Sequence, residues 1–131
     1  MPHVTWLGSL EHADPLLASA FHAAAVVALP SQGEVLPLSV LEALAAGTPV
    51  VMTAQSALDL PGSTFALRKV GWDDGPGQRL AIEQLVAERP ERTRVQALVQ
   101  QFSWDRVAAQ IAGSYFHLHA LSLPAERHHA V

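Results

Sequence analysis

The chain has 131 residues, of which half are hydrophobic and 15% are charged, and its formal net charge is −4. This length suffices for one globular domain, and an acidic balance without a basic run argues against a nucleic-acid partner. The absence of cysteine excludes disulfides and thiolate chemistry, and no apolar run reaches the length of a membrane span. Because the first residues do not resemble a signal peptide, the sequence predicts a cytoplasmic protein.

Short strands alternate with helices along the first half of the chain. Residues 4–7 form an apolar run closed by glycine and predict a strand. Asp14 followed by Pro15 predicts the start of a helix, because aspartate caps a helix and proline fits its first turn. Residues 26–29 and 49–53 predict buried parallel strands. This alternation predicts an α/β fold with a parallel sheet and right-handed crossovers.

The second half of the chain predicts one further strand, a turn and three helices. In chain order these are a strand over residues 64–70, a polar glycine-rich turn over 72–77, and helices over 80–88, 92–101 and 104–119. Ser103 suits the N-cap of the last helix. Residues 1–121 are therefore predicted to form one domain, and the patternless residues 122–131 a loose C-terminal tail.

The stretch from residue 30 to residue 51 contains a helix whose limits are marked by proline and glycine. Pro37 suits the first helical turn, and Gly47 suits the left-handed position that ends a helix. The residues between them are apolar nearly all round, so the helix is predicted to be largely buried. Glu42 is its only charge, and a buried carboxylate needs hydrogen-bond donors or a cation.

Two acids, Glu34 and Glu42, with seven residues between them, flank the start of this helix. Unpaired N–H groups at a helix start attract anions such as phosphate, whereas carboxylates accept hydrogen bonds from sugar hydroxyls. A nucleotide diphosphate-sugar offers both kinds of group. The alternative is a core helix with a solvent-facing Glu42 and a Glu34 that simply belongs to a surface loop.

This stretch resembles the C-terminal, donor-binding domain of retaining glycosyltransferases with two Rossmann-like domains, the GT-B enzymes called glycosyl transferases group 1 (family 4). The family pattern runs P-S-x-x-E-G-F-x-L-x-x-x-E-A-x-A-x-G-x-P-V-V. The residues that match it are Pro30, Ser31, Glu34, Leu38, Glu42, Ala43, Ala45, Gly47, Pro49, Val50 and Val51. Residues 102–115 are similar to the family's closing helix, so the resemblance extends over nearly the whole chain.

The resemblance implies the C-terminal half of a GT-B fold, a Rossmann-like parallel sheet flanked by helices that lacks the first strand-helix unit. It implies transfer of a sugar, of the hexosyl type, from a nucleotide diphosphate-sugar to an acceptor hydroxyl, with retention and without a metal or other cofactor. Glu34 would be the catalytic or donor-positioning acid, and Glu42 would bind the ribose hydroxyls. The other donor-binding residues that the resemblance implies are Gly33, Leu36, Pro37, Leu38 and Ser39.

The chain departs from the family pattern near the site. Val35 and Leu36 replace the usual Gly-Phe, and Ser56 and Ala57 stand where the next loop is usually glycine-rich, with Asp59 as a substitute acid. The resemblance also implies that the chain starts after a unit that contributes an Arg and a Lys to the diphosphate. The acceptor-binding part would then be a separate domain or chain. We therefore expect the isolated chain to be inactive, and its uncovered sheet edge to favour a homodimer or a swapped assembly unless a partner chain holds it.

Other functions fit parts of the sequence. A degenerate, non-catalytic nucleotide-binding or protein-interaction module would explain the changed loop residues. A receiver domain is disfavoured, because the strand at 26–29 ends in Leu-Pro and not in a phospho-accepting aspartate. The seven histidines show no metal-binding signature. His117 and His119 lie on different helix faces, and His128 and His129 fall in the predicted tail.

Overall fold

The computed structural model describes residues 3–122. Its elements in chain order are helix α1 (Pro15–Ala23), strand β1 (Val27–Leu29), helix α2 (Leu38–Ala45), strand β2 (Val50–Thr53), a 3-10 turn (Ser63–Phe65), strand β3 (Leu67–Val70), helix α3 (Gly75–Glu88), helix α4 (Arg92–Ala97), a second 3-10 turn (Gln100–Phe102) and helix α5 (Trp104–Ser122). The tail predicted from residue 122 lies, beyond that first residue, outside the described part, as do His128 and His129. None of the described helices combines the length and apolarity needed to cross a bilayer.

The three strands form one parallel sheet in the order β1-β2-β3. β1 pairs with β2, beginning with Val27 opposite Val50, and β2 pairs with β3, beginning with Val50 opposite Leu67. Parallel neighbours require a crossover connection, which α2 supplies between β1 and β2. The predicted fold class, an α/β Rossmann-like parallel sheet flanked by helices, is confirmed.

β2 is the centre of the core, and all four of its residues are buried. Successive side chains of a strand point to opposite faces of the sheet. Val50 and Met52 accordingly pack with buried residues of α2 and α4, whereas Val51 packs with Ala81 and Leu85 of α3. The sheet is therefore covered on both faces. The loop that joins β1 to α2 starts at the carboxyl edge of this packed sheet.

The strand predicted at residues 4–7 is wrong. These residues have no regular secondary structure, and Val4, Trp6 and Leu7 are exposed, with Trp6 at 88%. A strand is stable only where a neighbour accepts its main-chain hydrogen bonds. Within the described part of the chain, the sheet contains only β1, β2 and β3, so the segment has no such neighbour.

The end of α2 confirms the prediction for Gly47, whose φ is 80°. A Cβ at this position would lie 2.9 Å from the Cβ of Arg92. The Arg92 guanidinium donates hydrogen bonds to the main-chain oxygens of His22 (2.8 Å) and Ala46 (3.3 Å). Glycine thus permits both the left-handed turn and the close approach of α4 to the ends of α1 and α2.

α2 is less buried than its composition predicts. Val40, Ala43 and Leu44 are fully buried, but Leu38 is 58% exposed. The helix is covered on the sides that face the sheet, α1 and α4, and its first turn opens to solvent. That opening lies at the carboxyl edge of the sheet, where α/β proteins bind their ligands.

The contacts of the chain divide it into two units, Met1–Gln100 and Gln101–Val131. The second unit contains α5, and the Ser103 hydroxyl accepts a hydrogen bond from the Arg106 main-chain nitrogen at 3.3 Å, which confirms the predicted cap. The helix carries exposed aromatic residues, among them Trp104, Tyr115 and Phe116. The single domain over residues 1–121 stays a prediction.

Candidate functional site

Two loops meet at the carboxyl edge of the sheet, and one of them carries Glu34. The β1 loop (residues 30–37) follows β1, and the β2 loop (residues 54–59) follows β2. The Glu34 main-chain nitrogen donates to the Gln55 oxygen at 2.8 Å, and the Ala57 nitrogen donates to the Glu34 oxygen at 3.1 Å. This isolated parallel bridge between Glu34 and Ser56 fixes the backbone of Glu34 at the edge where the sequence analysis expects it.

The Glu34 side chain is half-buried and has no partner among residues 3–122. Its carboxylate makes no hydrogen bond or ion pair with any other residue that the structure describes. At the end of β2 the Thr53 hydroxyl donates to the Gln55 amide oxygen at 2.8 Å, so these two polar side chains are engaged with each other. An ionised carboxylate is an acceptor only, so Glu34 has capacity for a hydroxyl donor from outside the chain.

The first turn of α2, which begins four residues after Glu34, presents main-chain donors. The main-chain nitrogens of Leu38 and Ser39 have no acceptor within the helix, whereas Val40 and Leu41 donate to the oxygen of Pro37 at 3.1 and 3.3 Å. Pro37 provides no side-chain cap. These donors, with the positive end of the helix dipole, can hold an anionic group.

The residues around these donors are open to solvent. Val35 is 79% exposed, and Leu36 is exposed as well, so neither side chain closes the entrance to the first turn of α2. The backbone of Gly33 is not left-handed, and a Cβ there would meet the Gln55 oxygen at an ordinary 3.7 Å. The conformation of the β1 loop therefore does not require glycine at position 33.

Glu42 lies one turn further along α2, beside α1. Its Oε1 is 3.2 Å from Nδ1 of His12, and its side chain is 32% exposed. A cavity of about 320 Å³ adjoins this contact; its lining consists of His12, Leu17, Ala18, Phe21, Glu42, Ala45 and Ala46. Glu34 therefore contacts the β2 loop and Glu42 contacts the segment before α1, so each acid is held by a different part of the fold.

The basic side chains nearest in sequence to the site, Arg68 and Lys69, are already engaged with other groups of the chain, Lys69 with the β2 loop itself. Arg68 donates two hydrogen bonds to the carboxylate of Glu88, at 2.8 and 3.0 Å, and Lys69 donates to the main-chain oxygen of Leu58. Over residues 3–122, no Lys or Arg donates a hydrogen bond to the β1 loop or to Glu42.

His12 is the residue of this site that the sequence analysis does not identify. It stands in an irregular segment before α1, and no spacing rule links it to Glu42. The sequence does show that His12 lies just before α1, because Asp14 and Pro15 mark the start of that helix. Only the packing of α1 against α2 brings the imidazole to Glu42.

Comparison with known proteins gives one family and a set of relatives. Residues 1–69 match the family described as glycosyl transferases group 1. Three similar proteins are named D-inositol 3-phosphate glycosyltransferase. The Corynebacterium aurimucosum protein is 34% identical over 82% of this chain and 27% of its own length, the Corynebacterium urealyticum protein 35% over 87% and 28%, and the Mycobacterium leprae protein 36% over 76% and 25%. The chain thus spans about a quarter of the length of these curated relatives. No solved structure matches it significantly.

Proposed function

Because this chain belongs to the glycosyl transferases group 1 family, we propose that it is the donor-binding part of a cytoplasmic glycosyltransferase. The enzyme would move a sugar from a nucleotide diphosphate-sugar to an acceptor hydroxyl. We propose transfer of the hexosyl type, with retention of configuration and without a metal or other cofactor. The observation that supports this role best is the solvent-open start of α2, with free N–H groups between two acids.

Each part of the donor has a matching group in this proposal. The diphosphate binds the main-chain nitrogens of Leu38 and Ser39 in the first turn of α2. The preceding β1 loop, which contains Gly33, Leu36 and Pro37, supplies the rest of the donor-binding surface. The unpaired Glu34 carboxylate accepts hydrogen bonds from the transferred sugar, and Glu42 accepts them from the ribose hydroxyls. Carboxylates suit these positions because they accept hydroxyl hydrogen bonds more strongly than neutral oxygens do.

We propose that the isolated chain binds donor but does not complete the reaction. Arg68 and Lys69 are engaged away from the β1 loop, and no described Lys or Arg donates to that loop, so the leaving diphosphate lacks basic side chains to stabilise it. The chain also spans only about a quarter of its relatives' length, and the acceptor would bind a separate domain or chain. The names of the relatives make D-inositol 3-phosphate the first acceptor to test.

Calorimetric titration with UDP, GDP and their sugars tests the proposal. We expect one nucleotide series to bind the chain with one-to-one stoichiometry, and we expect no sugar transfer from it to D-inositol 3-phosphate. Turnover by the isolated chain would contradict the proposed incompleteness. Failure of every nucleotide and nucleotide sugar to bind would contradict donor binding itself.

A second candidate, a non-catalytic interaction module, is favoured by one feature of the site. Val35, Leu36 and Leu38 are all exposed around the start of α2, where a sugar-binding surface would be more polar. Exposed apolar patches commonly mark protein contacts. Under this alternative no nucleotide binds, or binding is unaffected by changes at Glu42.

We propose that the chain forms a homodimer unless a partner chain holds it. β1 and β3 are both edge strands of the described sheet, and such edges pair with other chains when they are not covered. Light scattering at increasing protein concentration is expected to give a mass near twice the monomer mass of 14.0 kDa. A monomer mass at every concentration would contradict the dimer.

A further inference from the structure

His12 and Glu42 form a contact between the segment before α1 and the middle of α2. We propose that His12 is a positioning residue for the donor nucleotide, which holds the Glu42 carboxylate in place for the ribose hydroxyls. The inference rests on the proposed function, since it concerns the same ligand. It adds a residue to the site that the family pattern does not contain.

The geometry supports a hydrogen bond that leaves most of the carboxylate free. With 3.2 Å between Nδ1 and Oε1, the imidazole N–H donates to one oxygen of Glu42. A carboxylate has about four lone-pair sites, so Oε2 and part of Oε1 are still available. Two neighbouring ribose hydroxyls can then donate to the two oxygens, provided that the plane of the carboxylate is fixed.

His12 is the polar side chain that contacts the Glu42 carboxylate in this cavity. The remaining lining residues are apolar: Leu17, Ala18, Phe21, Ala45 and Ala46. A glutamate side chain loses rotamer entropy when a ligand immobilises it. Because His12 already orients the carboxylate, the Glu42 side chain loses less rotamer entropy when the nucleotide binds.

A purely structural role for this contact is disfavoured by exposure. The His12 side chain is 85% exposed and belongs to no helix or strand. Exposed pairs of this kind contribute little to stability. Substitution of His12 should therefore leave the fold intact and act on the ligand.

The test compares a nucleoside diphosphate with its 2′,3′-dideoxy analogue, using whichever of UDP and GDP binds the chain more tightly. We expect His12→Ala to weaken binding of the ribonucleotide about threefold to tenfold, because the ligand must then immobilise the Glu42 side chain itself, and to leave the dideoxy analogue unaffected. His12→Asn, which retains an N–H donor near the position of Nδ1, should recover most of the affinity. In a Glu42→Ala background, His12→Ala should cause no further loss.

Glu11→Ala, a change in the adjacent exposed residue, is the matched control and should leave both affinities unchanged. Equal losses for the two ligands, or no loss with His12→Ala, would overturn the positioning role while leaving donor binding intact. If the unmodified chain binds neither UDP nor GDP, both the inference and the proposed function fail.

Discussion

Replacing Glu42 by glutamine is expected to weaken nucleotide binding more than any other single change in the site. Glutamine keeps the size of the side chain but removes the charge that strengthens its hydrogen bonds with hydroxyls. Hydrogen bonds to a charged group contribute about 1.5–3 kcal/mol, so we expect a loss of about tenfold to a hundredfold in affinity. Calorimetric titration of the variant with the nucleotide that binds the unmodified chain measures this loss.

Glu83→Gln is the matched control for this experiment. Glu83 lies on α3, where it pairs with Arg79 at 2.8 Å on the exposed surface, away from both acids of the site. Its replacement should leave nucleotide affinity unchanged. If Glu42→Gln behaves like this control, then Glu42 is simply a solvent-facing residue of a core helix and the proposed ribose contact is wrong.

Leu44→Ala is expected to have the largest effect on stability. Leu44 is 0% exposed and belongs to the same buried cluster as Val50, Met52 and Val95, so it joins α2 to the sheet and to α4. Removal of a buried leucine side chain leaves a cavity and typically costs about 2–5 kcal/mol. Urea denaturation followed by circular dichroism should show this as a lower free energy of unfolding.

Leu38→Ala makes the same chemical change in the same helix at an exposed position. Because Leu38 loses little contact area, we expect its effect on the free energy of unfolding to stay within about 0.5 kcal/mol. The contrast separates the loss of core packing at Leu44 from the effect of the same side-chain truncation at the exposed start of α2. Similar losses in both variants would show that α2 does not pack as described.

The elements confirmed by the structure are those with strong local signals. Asp14 caps α1 through a 2.8 Å hydrogen bond from the Leu16 nitrogen, as the Asp-Pro pair predicts. β1 and β2 coincide with continuous apolar runs, and Gly47 ends α2. In each case one short stretch contains both the hydrophobic pattern and the residue that stops it, so no distant contact is needed for the prediction.

The errors arise where distant contacts or a missed cap decide the structure. Residues 4–7 have the composition of a strand but no described neighbour to pair with. α3 begins at Gly75 and not at residue 80, because Asp74 caps it through a 2.9 Å bond from the Gly77 nitrogen. The intervening glycines made this segment look like a turn, although Asp74 and Pro76 repeat the signal that marks α1.

β3 and α4 are shorter than predicted, for a similar reason. The residues before Leu67 form a 3-10 turn, and α4 ends at Ala97 before a second 3-10 turn. The residues just before β3 and just after α4 are apolar enough to continue the strand pattern and the helix pattern, respectively. Hydrophobicity alone does not show where the hydrogen-bonding pattern changes.

The candidate site is predictable in its main chain but not in its side-chain partners. Placement of Glu34 at the carboxyl edge follows from the order of strand, loop and helix. The contact between His12 and Glu42 depends on how α1 packs against α2, which sequence spacing does not specify. The roles of Glu34, Glu42, Gly33 and the start of α2 stay predictions that the binding experiments decide.

Because of the bridge between the two loops, the number of residues in the β2 loop determines where Glu34 lies. Glu34 takes its position from Gln55 and Ala57, so it is anchored through them to β2, the most deeply buried strand. Adding or deleting one residue in the β2 loop would displace the first acid without any change in its own loop. The bonds to Glu34 come from main-chain atoms of Gln55 and Ala57, so the number of residues in the β2 loop sets the position of this acid.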